Sequence, residues 1–334
     1  MSDEILVPVE DLEVLLMKAL QSEANGLREE DARIVAGNLM YAERRRNNQG
    51  VIKVITGALK ASNKEGDIKI VKETPISAKL DGNDRIGMVV MKKALDIALE
   101  KAAANGGVAI VSCTGYRSAT GALGYWTRQA SEKGYICFMC CQCPEMVAPH
   151  GSYEPVFGTN PIAFSFPSGG SPVTLDMATS SAAWYHLKQA EADGTKIDDS
   201  LAYDSQGRST SDPSEALRGA LKTFGGAKGS GLALMVELLA GSLSGADMED
   251  KWNGANGWGS FMMVIDPNIM GDASEITTNA TTMLRRIKSA KKLDSADGVY
   301  LPGERSDLHD RETASSGTIP VSESVLARLR SMAS

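Results

Sequence analysis

Histidine is scarce in this chain of 334 residues: there are three, His150, His186 and His309. A proton-transfer centre therefore has few imidazoles to draw on. Positive charge is also in deficit, with 35 Lys and Arg against 42 Asp and Glu for a net charge of −7. No basic field exists to hold nucleic acid or an anionic membrane surface. Runs of eighteen or more uncharged apolar residues are missing, which argues against a spanning helix. The opening residues Met1-Ser-Asp-Glu-Ile lack the basic stretch and long apolar run of a signal peptide. The expected location is the cytoplasm. The remaining composition, 43% hydrophobic and 23% charged, is ordinary for a globular protein. The length suffices for two domains and a sizeable core.

Two common nucleotide signatures are absent as well. A Rossmann turn needs G-x-G-x-x-G between a strand and a helix, and Gly121-Ala-Leu-Gly124 supplies only part of it. Gly225-Gly-Ala-Lys228-Gly229-Ser230-Gly231 lacks the spacing of a Walker A loop. It does combine flexible backbone, one lysine and the start of an apolar helix expected over residues 231–243. Free N–H groups and the helix dipole make such a start a natural anion site. The same glycines equally suit a helix that packs closely.

What is present begins with five cysteines, four of them within Cys137-Phe-Met-Cys140-Cys141-Gln-Cys143. Cys137 and Cys140 have the C-x-x-C spacing of a metal or redox pair. The run from Tyr135 to Cys141 also reads as a short buried strand between Gly134 and Pro144. Alternate strand residues point to opposite faces, so the thiols would not converge on one ion. No second pair or nearby histidine completes a tetrahedral set. A core strand without metal is the expectation.

Apolar spacing predicts helices over 9–20 and 28–43, a turn at Asn47–Gly50 and a further helix over 51–61. A strand pattern follows over 68–80, ending in the turn Asp81-Gly82-Asn83. Helices over 89–104 and 121–133 then alternate with strands at 107–113, 135–141, 162–167 and 173–177. A late strand is predicted at 261–266, and helices at 276–290 and 321–332. Helical ends around a β-containing middle predict a discontinuous helical domain, residues 1–75 with 275–334, and a central domain over 76–274.

Five segments in collinear order carry a specific resemblance. They are Pro149-His150-Gly151 with Gly158-Thr159-Asn160-Pro161-Ile162-Ala163, then Asp176-Met177-Ala178-Thr179-Ser180, then Asp212-Pro213. The stretch from Lys228 to Gly245 follows, and Leu301-Pro302-Gly303-Glu304 closes the set. Together the chain resembles the malate/L-lactate dehydrogenase family of the non-Rossmann type, from about residue 10 to 330. The resemblance implies a mixed α/β (α+β) fold with a helical domain from both termini and a central cofactor-binding and dimerisation domain. It implies NADH or NADPH as cofactor, a small carboxylic acid as substrate and a homodimer. Carried over by motif, the cofactor would meet Thr159, Asn160, Pro161, Leu175, Asp176, Met177, Ala178, Thr179, Ser180, Ala227, Lys228, Pro302, Gly303 and Glu304.

The chain departs from that pattern where the chemistry should lie. Family members carry Ser-His-Gly-Val, with the His as proton donor, a few residues before an Arg that can grip the substrate carboxylate. Here the matching segment is Asn48-Gln49-Gly50-Val51-Ile52-Lys53, so Gln49 replaces the His and Lys53 lies near the Arg position. A second family His is replaced by Ala119 or Thr120. Glutamine cannot titrate, but it can hydrogen-bond a carbonyl, carboxylate or iminium group. The catalytic candidates are Gln49, Lys53, Tyr116 and His186. Asn48, Arg46 and Lys53 are the candidates for holding substrate. Within Arg44-Arg45-Arg46, cations suit either a bound anion or the dipole at a helix C-terminus. The expected activity is hydride transfer to or from a 2-oxo or 2-hydroxy acid, or to a cyclic 2-imino acid. The competing expectations are a nucleotide binder without dehydrogenase activity, an enzyme of an atypical substrate, and a cysteine-based metal or redox protein.

Overall fold

The computed structural model describes residues 4–248 and 257–333. Strand β1 (Glu4–Pro8) leads into helices α1 (Val9–Gln21), α2 (Glu29–Arg44) and the single turn α3 (Ile52–Ile55). Strands β2 (Lys69–Thr74) and β3 (Ser77–Asp81) precede α4 (Gly87–Ala104), β4 (Val108–Thr114), α5 (Leu123–Glu132) and β5 (Ile136–Gln142). Next come β6 (Ile162–Phe166), β7 (Val173–Met177), α6 (Trp184–Asp193), β8 (Ala202–Tyr203), α7 (Pro213–Arg218), β9 (Ala220–Leu221) and α8 (Ala227–Val236). The last elements are β10 (Gly259–Ile265), α9 (Ala273–Lys288), α10 (Glu304–Ser316), β11 (Thr318–Ser322) and α11 (Glu323–Ala333).

Seven strands form one sheet in the order β2-β3-β4-β10-β5-β6-β7. Only β3 and β4 run parallel; β10 arrives late in the chain and inserts antiparallel between β4 and β5. β1 pairs antiparallel with β11, so distant parts of the sequence share a two-stranded ribbon. The largest hydrophobic cluster is continuous from Leu12, Leu16 and Leu39 through Met88 and Leu95 to Val111, Met139 and Leu326. This is a mixed α/β architecture, as the sequence pattern predicts. No helix among the described residues is long and apolar enough to cross a membrane.

The cysteine segment is strand β5, with Cys137, Cys140 and Cys141 buried in it. Four predicted boundaries need correction. The helix over 51–61 stops at Ile55, because Thr56 Oγ1 caps the Lys53 carbonyl and Gly57 turns left-handed at φ 73°. The 68–80 strand is a hairpin, β2 and β3, folded at Pro75 and Ile76 where proline cannot donate to a ladder. The helix expected from 231 begins at Ala227 and widens into a π-turn over Glu237–Ser242. Val321 lies in β11 rather than in the last helix, held there by pairing with Ile5.

Candidate active site

The site begins where α2 ends. Arg46 takes a left-handed φ of 52°, and Asn47 Oδ1 then accepts from the Gln49 N–H at 3.0 Å. The next residues are pinned by Glu43, whose Oε2 accepts from the Val51 N–H at 2.8 Å. This tight return presents Gln49 and the α3 residue Lys53 to a cleft between the helical ends and the sheet.

The opposite wall is the segment joining β4 to α5. Gly121 has φ 75°, and a Cβ there would lie 2.1 Å from Asn38 Oδ1. Asn38, fully buried on α2, accepts from Ala122 N at 3.0 Å and donates to Ala122 O at 3.1 Å. Only glycine lets the strand-to-helix turn approach α2 so closely.

The cleft has two chambers. The inner one, of about 570 Å³, is lined by Gln49, Lys53, Arg117, Ala119, Thr120, Cys141, Cys143, Met146, Tyr185 and Trp258, among others. The outer one, of about 500 Å³, is lined by Asn48, Asp176, Met177, Ala178, Ser180 and Phe224, among others. Gln49, Gly121, Thr159, Pro161 and Trp184 line both and so mark where the two meet.

Lys53 is 1% exposed, with Nζ 4.3 Å from the centroid of the Tyr185 ring. No carboxylate pairs with it among the described residues. Burial penalises the ammonium form and lowers its pKa from 10.5 to about 7, against a smaller opposing effect of the Cys143 and Cys141 thiols. Arg117, the other cation of the inner chamber, is already engaged: it forms an ion pair with Glu65 and donates to Asp84 O at 3.0 Å.

In the outer chamber Asp176 accepts from the Gly124 N–H at 2.8 Å, at the start of α5. Burial raises its carboxyl to about 6, partly offset by that hydrogen bond. The three motif segments around it are tied together. Thr179 N–H donates to Thr159 O at 2.9 Å, and Thr179 Oγ1 donates to Asn160 O at 3.1 Å. Phe224 N–H donates to Thr179 O at 3.1 Å, just before α8. Asn160 is buried, and its Nδ2 donates to Glu237 Oε1 at 2.9 Å, locking the turn onto the helix.

Of the residues singled out from sequence, Gln49, Lys53, Asn48, Thr159, Pro161, Asp176, Met177, Ala178 and Ser180 line the cleft. Asn160 and Thr179 stand behind it as buried supports. Leu175 precedes the lining strand end in β7. Ala227 and Lys228 form the exposed first turn of α8, beyond Phe224. The Pro302–Gly303–Glu304 turn packs against the β7 backbone, where a Cβ on Gly303 would lie 2.6 Å from Thr174 O. Glu304 pairs with Lys288 at 2.7 Å.

Three candidates lie elsewhere. Tyr116 is fully buried and lines neither chamber; its hydroxyl is 2.5 Å from Ser260 Oγ, and burial holds its pKa well above the usual value. His186 is exposed on α6 and faces an outer recess shared with Arg46 and Asn48, away from Lys53. Arg46 is exposed in that recess, while Arg44 and Arg45 each reach Asp310 at 2.7 Å. Sequence reasoning did not find Trp184, Tyr185, Trp258, Cys141, Cys143 or Met146 as site residues. The adjacent Trp184-Tyr185 after the Asp176–Ser180 motif was the available signal.

A family model for malate/L-lactate dehydrogenases matches residues 7–330. The malate/(S)-sulfolactate dehydrogenase of Methanothermus fervidus is 33% identical, the match covering 98% of this chain and 97% of that protein. The NAD(+)-dependent ureidoglycolate dehydrogenase of Escherichia coli K12 is 32% identical over 87% of this chain and 86% of its own. The crystal structure of Δ1-piperideine-2-carboxylate reductase from Pseudomonas syringae superposes with a TM-score of 0.84 at 27% identity, covering 98% of this chain and 99% of that one.

Proposed function

The chain belongs to the malate/L-lactate dehydrogenase family, and on that premise we propose that it is an NAD(P)-dependent oxidoreductase of a small 2-oxo or 2-hydroxy acid, or a reductase of a cyclic 2-imino acid, in which Lys53 takes the place of the missing histidine. The observation that carries this reading is the meeting of two chambers at Gln49, Thr159, Pro161 and Trp184, with Lys53 buried in the inner one.

The outer chamber fits a nicotinamide nucleotide. Asp176 supplies an acceptor for sugar hydroxyls, and the first turn of α8 offers N–H groups and Lys228 for phosphate. When bound, NADH or NADPH supplies the hydride for carbon 2 of the substrate. Everything else falls to the chain. The Lys53 ammonium holds the carboxylate and the neighbouring carbonyl oxygen and gives that oxygen a proton as negative charge develops on it. Gln49 cannot supply the proton; its amide fixes the carbonyl group by hydrogen bonding. In the oxidative direction neutral Lys53 holds the carboxylate by its N–H groups, takes the hydroxyl proton and so becomes the ammonium. A protonated cyclic imine reduces to a neutral amine and makes no such demand on Lys53.

Exposed Leu234, Met235 and Leu238 on α8 and the π-turn that follows it support the further reading that the chain works as a homodimer, a state that sedimentation velocity measures directly.

The test is loss of NADH and NADPH absorbance with pyruvate, oxaloacetate, sulfopyruvate and cyclic imino acids in turn, beside a fluorescence titration of each cofactor. Turnover of any of these acids supports the reading. Cofactor binding with no turnover of any acid would leave a nucleotide-binding protein without this chemistry.

A further inference from the structure

The inner chamber differs from what a dicarboxylate or sulfonate substrate requires. A substrate with two acidic groups needs two sources of positive charge or a comparable set of donors, because an ionised group buried without a partner is strongly unfavourable. The chamber is lined by two cations. Arg117 has its charge met by Glu65, with Nε committed to Asp84 O. That leaves Lys53, which pairs with no carboxylate among the described residues. The arginines that precede Gln49 do not add to it. Arg44 and Arg45 are turned onto Asp310 and Asp307 of α10, and Arg46 faces the outer recess. No Asp or Glu among the described residues lines the chamber either.

Four polar side chains, Gln49, Ser118, Thr120 and Thr159, also line the chamber; Ser118 Oγ already donates to Ala58 O and Thr159 Oγ1 meets Cys143 Sγ at 3.4 Å. The large side chains of the wall are apolar. Trp184, Tyr185, Trp258, Met146 and Pro144 surround a volume of about 570 Å³, well beyond the needs of a three-carbon acid. Such a surface gains by covering hydrocarbon and offers a second anionic group no further uncommitted cation. Building on the reading of this site as a 2-oxo or 2-imino acid reductase, we propose that its substrate is a monocarboxylic acid with an apolar side chain or ring of several carbons. The single carboxylate is held by Lys53 and the hydrocarbon lies against Trp184, Tyr185 and Trp258. Malate- and sulfolactate-type acids, with their second anionic group, are poor substrates.

Two measurements test this. In the first, kcat/KM with NADH and NADPH is compared for 4-methyl-2-oxopentanoate, Δ1-piperideine-2-carboxylate, oxaloacetate and sulfopyruvate. The expected result is a preference of at least about tenfold for an apolar acid over both doubly charged acids, equivalent to one well-placed contact. Efficient turnover led by oxaloacetate or sulfopyruvate would overturn the proposal while leaving the reductase reading intact. Turnover of none of them, nor of pyruvate, removes the reductase reading itself. In the second, quenching of tryptophan fluorescence, to which Trp184 and Trp258 contribute two of the four indoles, reports binding without turnover. The apolar acid should quench saturably and oxaloacetate should not compete at equal concentration; the reverse order, or no saturable quenching by the apolar acid, would sink the proposal. The substitution Met146→Arg adds a second uncommitted cation to the wall. It should shift the kcat/KM ratio towards oxaloacetate by at least about tenfold, and an unchanged ratio in a folded variant would contradict the charge argument.

Discussion

The Lys53 ammonium nitrogen stands 4.3 Å from the centre of the Tyr185 ring, and this contact stands in for the water that burial removes. The electron-rich ring face attracts the cation, yet the pKa still falls to about 7 because desolvation outweighs every opposing influence. An amine of that strength is divided between its two protonation states at neutral pH. A group poised in this way can give a proton in one reaction direction and take it in the other.

The pH dependence of catalysis follows. For a 2-oxo acid, kcat/KM of reduction reports free enzyme and should fall above about pH 7 as Lys53 loses its proton. Oxidation of the 2-hydroxy acid should show the opposite limb, rising to a plateau above the same point. Lys53→Met should lower kcat of ketone reduction by roughly 10²–10⁴-fold and remove the limb. With a cyclic imino acid the same variant should lose more in KM than in kcat. An unshifted limb in Lys53→Met would assign the proton to another group.

Stability should carry the same signature with its own sign. Lys53 has a lowered pKa in the fold, so between about pH 7 and 10.5 the unfolded chain binds more protons than the native one. Its contribution to stability therefore improves as pH rises through that window, and the full penalty of the buried charge is felt below pH 7. Lys53→Met removes the penalty. A tenfold change in proton affinity between native and unfolded chains corresponds to about 1.4 kcal/mol. Urea unfolding should accordingly find the variant more stable than wild type by a few kcal/mol near pH 6. The difference should shrink steadily towards pH 10.

Gly303 offers a test of the turn that abuts β7. With φ at 79° and Thr174 O only 2.6 Å from where a Cβ would lie, Gly303→Ala adds backbone strain to a clash. A loss of about 1–3 kcal/mol in unfolding free energy is expected. Gly170→Ala, with nothing within 4 Å of the added carbon, should stay within about 0.5 kcal/mol.

Lys228 separates the cofactor assignment from the substrate assignment. Lys228→Ala should weaken binding of NADH and NADPH by roughly tenfold, the worth of one charge-assisted contact to phosphate. KM for the acid at saturating cofactor should hardly move. Fluorescence titration of each cofactor with wild type and variant gives the comparison, and equal affinities would remove Lys228 from the phosphate site.

Much of this site could be read from the sequence because its motifs are local. Thr159–Pro161, Asp176–Ser180 and Phe224–Lys228 are short segments, and the hydrogen bonds of Thr179 to Thr159, Asn160 and Phe224 draw them together. The expectation that Gln49 stands where the family carries a histidine came from an equally short segment, Asn48–Lys53. What was hidden depends on contacts between remote positions. Arg44 and Arg45 look available for an anion until Asp307 and Asp310 meet them from α10. Tyr116 is three residues from the lining residue Ala119, but its hydroxyl is satisfied by Ser260 on β10 and the ring turns into the core. His186 follows Tyr185 directly, yet consecutive residues of a helix face different directions, so one ring meets Lys53 and the next meets solvent. The same limit applies to Trp258, which reaches the inner chamber from the residue just before β10.

The β1–β11 ribbon has a consequence for how the protein is made. β1 leaves the ribosome about 300 residues ahead of its partner and stays unpaired until β11 follows. α11, which packs on the Lys53 turn and sends Arg328 to Ile55 O, emerges later still. A nascent chain thus holds an unpaired strand edge and an unsupported Lys53 until those elements emerge. Competence for catalysis waits for β11 and α11 to be made, and the interval before it is when β1 most needs shielding by a chaperone.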